Sequence, residues 1–400
     1  MIDSIVIKID FGSGLKIARK GLFMPELKKR TLASLSSNER KGIYKKGYLT
    51  KFRLVIPKEY GYMPRMSIFE KIDRSTNEII YDTKIEVSLP KLVYGNNLQE
   101  LSECDLNLVC TKIMESFSPF GISLKRDCLI KANVTKLDIG KNFILPQDIY
   151  PHEIINTISK TGSGKAYEGA RERYSNDGSL ARIRSGSRED VFYDKIKDMQ
   201  KTKSKAYDKD GKDMEMAFVE EYSLENINVL RYEYRFIRVE PLKSDVNSYL
   251  KRDYKSKILL SDIFNDNLCK FLLRKAWSKI YTKPDNQTLF KTINIEPIDI
   301  LNHLIKVACN SSNTVHSQNT AYTSYGLIMA IKDNGVDMVH SACLNGWSEK
   351  TCGIRHTEKI KTAEKFLKGL PVSDAMSFLD TEIQNFQRLT LASFEKYRNI

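Results

Sequence analysis

The sequence predicts an α+β protein: an N-terminal, mostly antiparallel sheet with flanking helices, followed by a helical C-terminal domain. Three observations carry this. Apolar and polar residues alternate with period two in several segments of the first 245 residues. Asn228–Glu240, NVLRYEYRFIRVE, is dense in the aromatic and β-branched side chains that suit a pleated surface. Beyond about Ser244 the apolar spacing turns helical. The boundary therefore falls near 244–258, between an α+β unit, 1–245, and a helical one, 246–400.

The elements follow in order. Ile5–Ile9 reads as a first strand; with Asp3, Lys8 and Asp10 among its apolar residues, the N-terminus does not read as a signal peptide. Leu49–Pro57 is strand-like. Glu78–Pro90 places Ile85, Val87 and Leu89 on one face and Glu86 and Ser88 on the other. A helix is expected over about Leu98–Phe117, a strand over Lys131–Phe143, and a short helix from Pro151 through Ile158. The stretch 160–205 holds 12 Lys and Arg against 7 Asp and Glu, a net of +5, and is rich in Gly, Ser and Arg. It reads as a hairpin with a basic tip leading into the strand VFYDKI, 191–196. After the boundary, Leu260–Trp277 is expected to begin at an N-cap, Ser261. Ile298–Ala308, Ser324–Gly335 and Thr362–Leu370 read as further helices, with Gly335 and Gly369 at C-cap positions.

Composition excludes several classes. Hydrophobic residues at 41% and charged residues at 28% fit neither a disordered chain nor a membrane-embedded one, and no apolar run approaches the roughly 18 residues of a bilayer span. Seven scattered cysteines without a C-x-x-C suit a reducing cytoplasm. Five distant histidines exclude His-based metal motifs. TGSGK, 161–165, fails as a phosphate loop because Ser159 stands where Gly is needed and Ala166 where Ser or Thr is. No nucleotide cofactor is expected. The excess of 64 Lys and Arg over 50 Asp and Glu, a charge of +14, leans towards a polyanionic partner; simple solubility is the plainer alternative.

One constellation of residues remains. Glu86, Asp138 and Glu233 are carboxylates inside three separate strands, where acidic residues are depleted. Converging on one sheet face, they would hold a hard cation, Mg²⁺ or Mn²⁺; ion pairing with Arg231 or Arg235, or plain exposure, is the structural alternative. In the strand 191–196, Tyr193 and Lys195 point to the same face. A tyrosine hydroxyl needs activation to attack, and a neighbouring lysine or a metal would favour its phenolate or grip the phosphate. Tyr174, in RERYSND, is the competing candidate: it lies in a stretch that reads as more basic, more mobile and easier to expose.

These segments, in this order, resemble the replication initiators of filamentous bacteriophages and their plasmid relatives. The resemblance rests on MIDSIVIKI, SLPKLVYGNN (Ser88–Asn97), NVTKLDIGKNF, VFYDKIKDM and VLRYEYRF, with looser likeness in the C-terminal helices. It implies metal-dependent nicking and rejoining of DNA at a replication origin, with Tyr193 as nucleophile and a covalent 5′-phosphotyrosine. Asp138, Glu86 and Glu233 would hold the metal, and Lys195 would assist the phosphate. Lys160, Lys165, Arg171, Arg173, Arg182, Arg184 and Arg188 would contact double- or single-stranded DNA. It also implies host helicase and polymerase as partners, no membrane, and the cytoplasm of a bacterial host. A non-catalytic DNA-binding replication protein is the rival reading.

Overall fold

An eight-stranded sheet organises the protein, with order β3-β4-β5-β1-β7-β10-β9-β8 and every neighbouring pair antiparallel. The computed structural model describes residues 1–10, 15–17, 38, 48, 50–54, 60–73, 76, 79–162, 178–201, 206–311, 315–344 and 349–395. The strands are β1 (Ile2–Asp10), β2 (Leu15–Ile17), β3 (Thr50–Arg53), β4 (Arg65–Ile72), β5 (Ile79–Ser88), β6 (Ile122–Leu124), β7 (Asn133–Ile144), β8 (Leu180–Ser185), β9 (Arg188–Asp194) and β10 (Val229–Phe236). β2 and β6 form a separate two-stranded ladder.

Alternation assigns the faces. Ile5, Ile7, Ile85, Val87, Phe192 and Tyr232 point to one side and are buried. Helices Leu106–Phe117, Pro151–Ser159 and Asp266–Tyr281 contribute apolar residues to the same core. At its centre Phe192 and Tyr232 stack at 4.3 Å, and Trp277 packs on both at 6.1 and 6.4 Å. The buried indole N–H of Trp277 is satisfied by Asp380 at 2.7 Å.

The main core therefore runs across residue 245, taking in sheet residues and helical residues as far as Phe386. Further on, the backbone of Leu389 bonds both the N–H and the carboxylate of Glu100, and Phe394 packs against Phe218 at 5.5 Å. A second cluster around Ile300, Leu304 and Ile328 lies wholly within the helical part.

Several elements differ from expectation, each for a local reason. β5 stops at Ser88, and Leu89–Tyr94 is a helix with Pro90 in its first turn, where no N–H is needed, and Gly95 at φ 73° as its left-handed C-cap. The expected helix over Leu98–Phe117 begins at Leu106, because Asn96 ties down the N–H groups of Leu98 and Gln99 and the Asp105 carboxylate holds Ser102. Asn265, not Ser261, caps the long C-terminal helix: its side chain accepts from Leu268 N at 2.9 Å, and Leu260–Ile263 is a separate turn. β9 ends at Asp194, whose carboxylate accepts from Lys197 N and starts the helix Lys195–Gln200, so Lys195 is not a strand residue. The expected basic tip lies at 163–177, outside the described residues; the hairpin seen, β8–β9, turns at Gly186. Gly335 and Gly369 are left-handed, at φ 83° and 94°, as their C-cap positions require.

Candidate active site

The sheet face away from the core helices carries the chemistry. A break in register between Ile2 and Ser4 marks a bulge in β1, and both Asp3 and Ser4 line this face. With residues of β5, β7, β9 and β10 they line a cleft of about 970 Å³. Glu86, Asp138, Tyr193 and Glu233 all line it.

At the β9–β10 end lies a buried ionic network. Arg231 is 2% exposed. Its guanidinium bonds Glu233 Oε1 at 2.6 Å, pairs with Asp3 at 2.8 Å, and donates to Asn97 O and Asn142 Oδ1 at 3.0 Å each. Arg235 donates twice to Glu233 Oε2, at 2.8 and 2.5 Å. The Tyr193 hydroxyl donates to Glu233 Oε1 at 2.5 Å. Burial alone would raise the Glu233 carboxyl; Arg231, Arg235 and the Tyr193 hydroxyl outweigh it and hold Glu233 well below the usual carboxylate range. Burial, and then the Glu233 charge, push the Tyr193 phenol well above its ordinary value, against the opposing pull of Arg231.

Gly140 makes room for this network. A methyl group there would stand 2.3 Å from an Arg231 guanidinium nitrogen and 2.7 Å from its central carbon. Gly140→Ala is expected to displace Arg231 and to lower stability by about 1–3 kcal/mol, the usual range for overpacking. Urea titration checks this; an unchanged midpoint would show that the guanidinium relaxes freely.

Asp138 is the second centre. It is 5% exposed and accepts from Ser4 Oγ at 2.5 Å and Lys136 Nζ at 3.0 Å, both through Oδ2. Its Oδ1 is buried without a hydrogen-bond partner. Burial raises the Asp138 carboxyl, with Lys136 and Ser4 opposing. Such an orphaned oxygen is what a bound cation would satisfy.

The three expected metal ligands do not form one ligand set. Among the described residues no three His, Cys, Asp or Glu side chains are grouped to hold a metal ion. Both Glu233 oxygens are occupied by arginines and the phenol. Glu86 is exposed and pairs with Val6, whereas Asp138 pairs across β1 with Ser4. Two strand spacings, about 10 Å, separate their backbones. Asp138 fits a cation, Glu86 fits as an outer partner, and Glu233 does not fit.

Lys195 is buried behind the cleft wall and does not line it, although its partners Asp198 and Glu215 do. It is 1% exposed, with Glu215 at 3.9 Å and Asp198 at 3.6 Å, and its ammonium stands 5.9 Å from the Tyr193 ring centroid. Burial lowers its pKa, against both carboxylates. Sequence reasoning missed Arg65, Lys91, Lys136 and Lys201, which line the cleft; Arg235, named there as an ion-pair partner, lines it too and pairs with Glu233. Lys91 lies in the SLPKLVYGNN segment, which was the available signal.

The expected DNA contacts scatter. Lys160 Nζ donates to Lys332 O at 2.8 Å, and Arg188 bonds Asp245. Arg182 pairs with Glu189 at 3.6 Å. Arg184 is exposed. Lys165, Arg171, Arg173 and the competitor Tyr174 lie outside the described residues.

The cleft lining carries six carboxylates (Asp3, Glu86, Asp138, Asp198, Glu215, Glu233) against five cations. The lining is therefore not predominantly cationic.

The class is an antiparallel α+β protein with a tyrosine, carboxylates and cations lining one open cleft. The family comparison is more specific. Residues 1–256 match the family described as the N-terminal part of the phage gene II replication-associated protein. The chain belongs to this family of phage rolling-circle replication initiators. No curated protein matches the chain. No solved structure matches it either. Among the described residues no helix is long and apolar enough to cross a membrane.

Proposed function

We propose that this chain starts rolling-circle replication by nicking and rejoining DNA at the origin. The Tyr193 oxygen attacks one phosphodiester. A P–O bond forms to the tyrosine, the P–O3′ bond breaks, and the 3′ oxygen leaves as a hydroxyl after taking up a proton. The phenol proton is lost to solvent as the P–O bond forms, and water supplies the proton that the departing 3′ oxygen takes up; Glu233, kept ionised by Arg231 and Arg235, orients the hydroxyl. The reverse step rejoins the strand without ATP, because the phosphotyrosine bond conserves the phosphodiester's energy.

The observation that supports this reading most is the placement of the Tyr193 side chain and the orphaned Asp138 oxygen in one cleft. A phosphate entering beside Asp138 and Glu86 meets like charge. Asp138, with Glu86 as outer partner, would hold a Mg²⁺ or Mn²⁺ ion, which would supply counter-charge to the phosphate. Lys136 and Arg235 flank the entering phosphate. The 3′-hydroxyl then primes synthesis by a host polymerase. With no phosphate loop in the sequence, unwinding falls to a host helicase, in the cytoplasm of the bacterial host.

A second reading makes Tyr174 the nucleophile, and one observation favours it: the Tyr193 hydroxyl is held in the buried network. The deciding experiment incubates protein with supercoiled origin plasmid and Mg²⁺, digests the covalent adduct with protease, and maps the DNA-bearing peptide. A peptide containing Tyr193 is expected. A Tyr174 peptide moves the nucleophile. Tight, metal-independent binding with no adduct makes the chain a non-catalytic DNA-binding protein.

A further inference from the structure

The cleft holds more carboxylates than cations, yet the chain carries a net +14. Much of the grip on nucleic acid must therefore come from another surface. Helix Asp266–Tyr281 offers one. Its inner face, including Leu268, Leu272, Leu273, Ala276 and Trp277, is buried. Its outer face presents Asn267, Lys270, Phe271, Arg274, Lys275 and Ser278, spaced i, i+3, i+4, i+7, i+8 and i+11, a single stripe. With Gln384 these residues line a groove of about 530 Å³; Lys275 Nζ pairs with Asp245 at 3.0 Å and Arg274 Nε donates to Ile383 O at 3.4 Å, which leaves Lys270 as the cation with the most open head group.

The groove is continuous with an ordered basic loop. Phe271 packs on Tyr249 at 5.1 Å, and the chain passes directly from Tyr249 into 250–257. Asn247, fully buried, braces that loop: its side-chain amide donates to Tyr254 O at 3.3 Å and Ser256 O at 3.0 Å, and its backbone carbonyl accepts from Arg252 N at 2.9 Å. So fixed, the loop leaves Lys251, Lys255 and Lys257 exposed and Tyr254 65% exposed, with the Lys255 ammonium 5.5 Å from the Tyr254 ring centroid. A large aromatic ring held in water beside lysines has no packing role.

We propose that the groove along Lys270, Phe271, Arg274 and Lys275, together with the loop bearing Tyr254, Lys255 and Lys257, is a binding site for single-stranded DNA. Cations along a groove follow a phosphate backbone, and exposed rings stack on bases. A duplex hides its base faces, so the rings serve only a strand whose bases are free. The site lies on the far side of the sheet from the cleft: Phe192 and Tyr232 point to helix Asp266–Tyr281, while Tyr193 and Glu233, one residue along each strand, line the cleft. Most of it lies beyond residue 256, where the family match ends. Strand displaced at the cleft would be held on the opposite surface, clear of the reactive tyrosine.

The test uses the full chain and a fluorescent 20-nucleotide oligothymidylate in EDTA, so that cleavage plays no part and the result is independent of the nicking proposal. The triple variant Lys255→Ala/Lys257→Ala/Lys270→Ala is expected to bind at least tenfold more weakly. The slope of log affinity against log salt should fall by about 2, the loss of three phosphate contacts to a single strand. Tyr254→Ala, which removes an exposed ring and no charge, is expected to weaken binding about fivefold or more with the slope unchanged. Lys255→Arg/Lys257→Arg/Lys270→Arg should keep the affinity, and thermal melting of every variant should match the parent. Affinities within twofold of the parent for the triple alanine variant would overturn the proposal. So would equal competition by polyglutamate, or a loss confined to duplex DNA.

Discussion

Arg231→Met is expected to lower stability by about 3–5 kcal/mol, the usual result of removing one partner from a buried ion pair. Arg231 is 2% exposed and contacts four groups: Glu233, Asp3, the Asn97 carbonyl and the Asn142 side chain. Methionine fills much of the same volume but donates nothing. Asp3 loses its guanidinium, and Glu233 is left with Arg235 and the Tyr193 hydroxyl. Against a total of about 5–15 kcal/mol, the loss is a large fraction. Urea unfolding checks it: the midpoint should fall with the slope unchanged. Replacing Arg231 and Glu233 together by apolar residues should cost less than Arg231→Met alone, since no lone charge remains buried. A shift below about 1 kcal/mol for Arg231→Met would mean that water or Arg235 takes over the site.

The same network fixes a pH dependence. Folded Glu233 titrates below the unfolded chain's glutamate value of about 4.3. Above that value its stabilisation is fully present. As pH falls below it, the unfolded chain takes up a proton that folded Glu233 refuses, and stability declines towards the folded pKa. Arg231→Met should flatten this acid limb.

How much of this was legible depends on what a strand pattern contains. β7 and β10 were readable because their aromatic and β-branched density leaves few alternatives. β4, RMSIFEKI, was not read as a strand: Ile68 and Phe69 are adjacent and both buried, so the alternation breaks. Alternation allowed Glu86, Asp138 and Glu233 one face, and all three line the cleft. It could not say what covers that face. Arg231 and Glu233 look like solvent-facing positions, but the Asn97 carbonyl and the Asn142 side chain close over the arginine from another loop and strand. Those contacts join residues 134 and 89 positions apart in the chain, a separation that local pattern does not reach. The end of β9 was within reach. Asp194 followed by K-I-K-D is an N-cap signal, and reading it would have taken Lys195 off the strand and into the helix that buries it.

Tyr193→Phe is expected to reduce nicking by at least 10³-fold while leaving DNA binding near the parent level. The change removes one oxygen. In the folded protein that oxygen's proton bonds Glu233, which keeps both arginines, so the stability loss should be only about 1 kcal/mol. Structural and chemical roles are thereby separable: a tyrosine that merely packs would show the small stability loss and retain the activity. The pH profile gives an independent reading. Burial and the Glu233 charge hold the phenol well above its ordinary value, so the phenolate is scarce at neutral pH and its fraction grows tenfold per pH unit. If the attacking species is that phenolate, the nicking rate of the parent protein should climb by about tenfold per unit between pH 7 and 9, with no plateau in that range. A plateau near neutrality would show that the attacking group titrates lower than a tyrosine locked against Glu233 can. Coupled with an adduct that survives Tyr193→Phe and vanishes in Tyr174→Phe, that profile would place the nucleophile at Tyr174 and leave Tyr193 as a part of the Arg231 clamp.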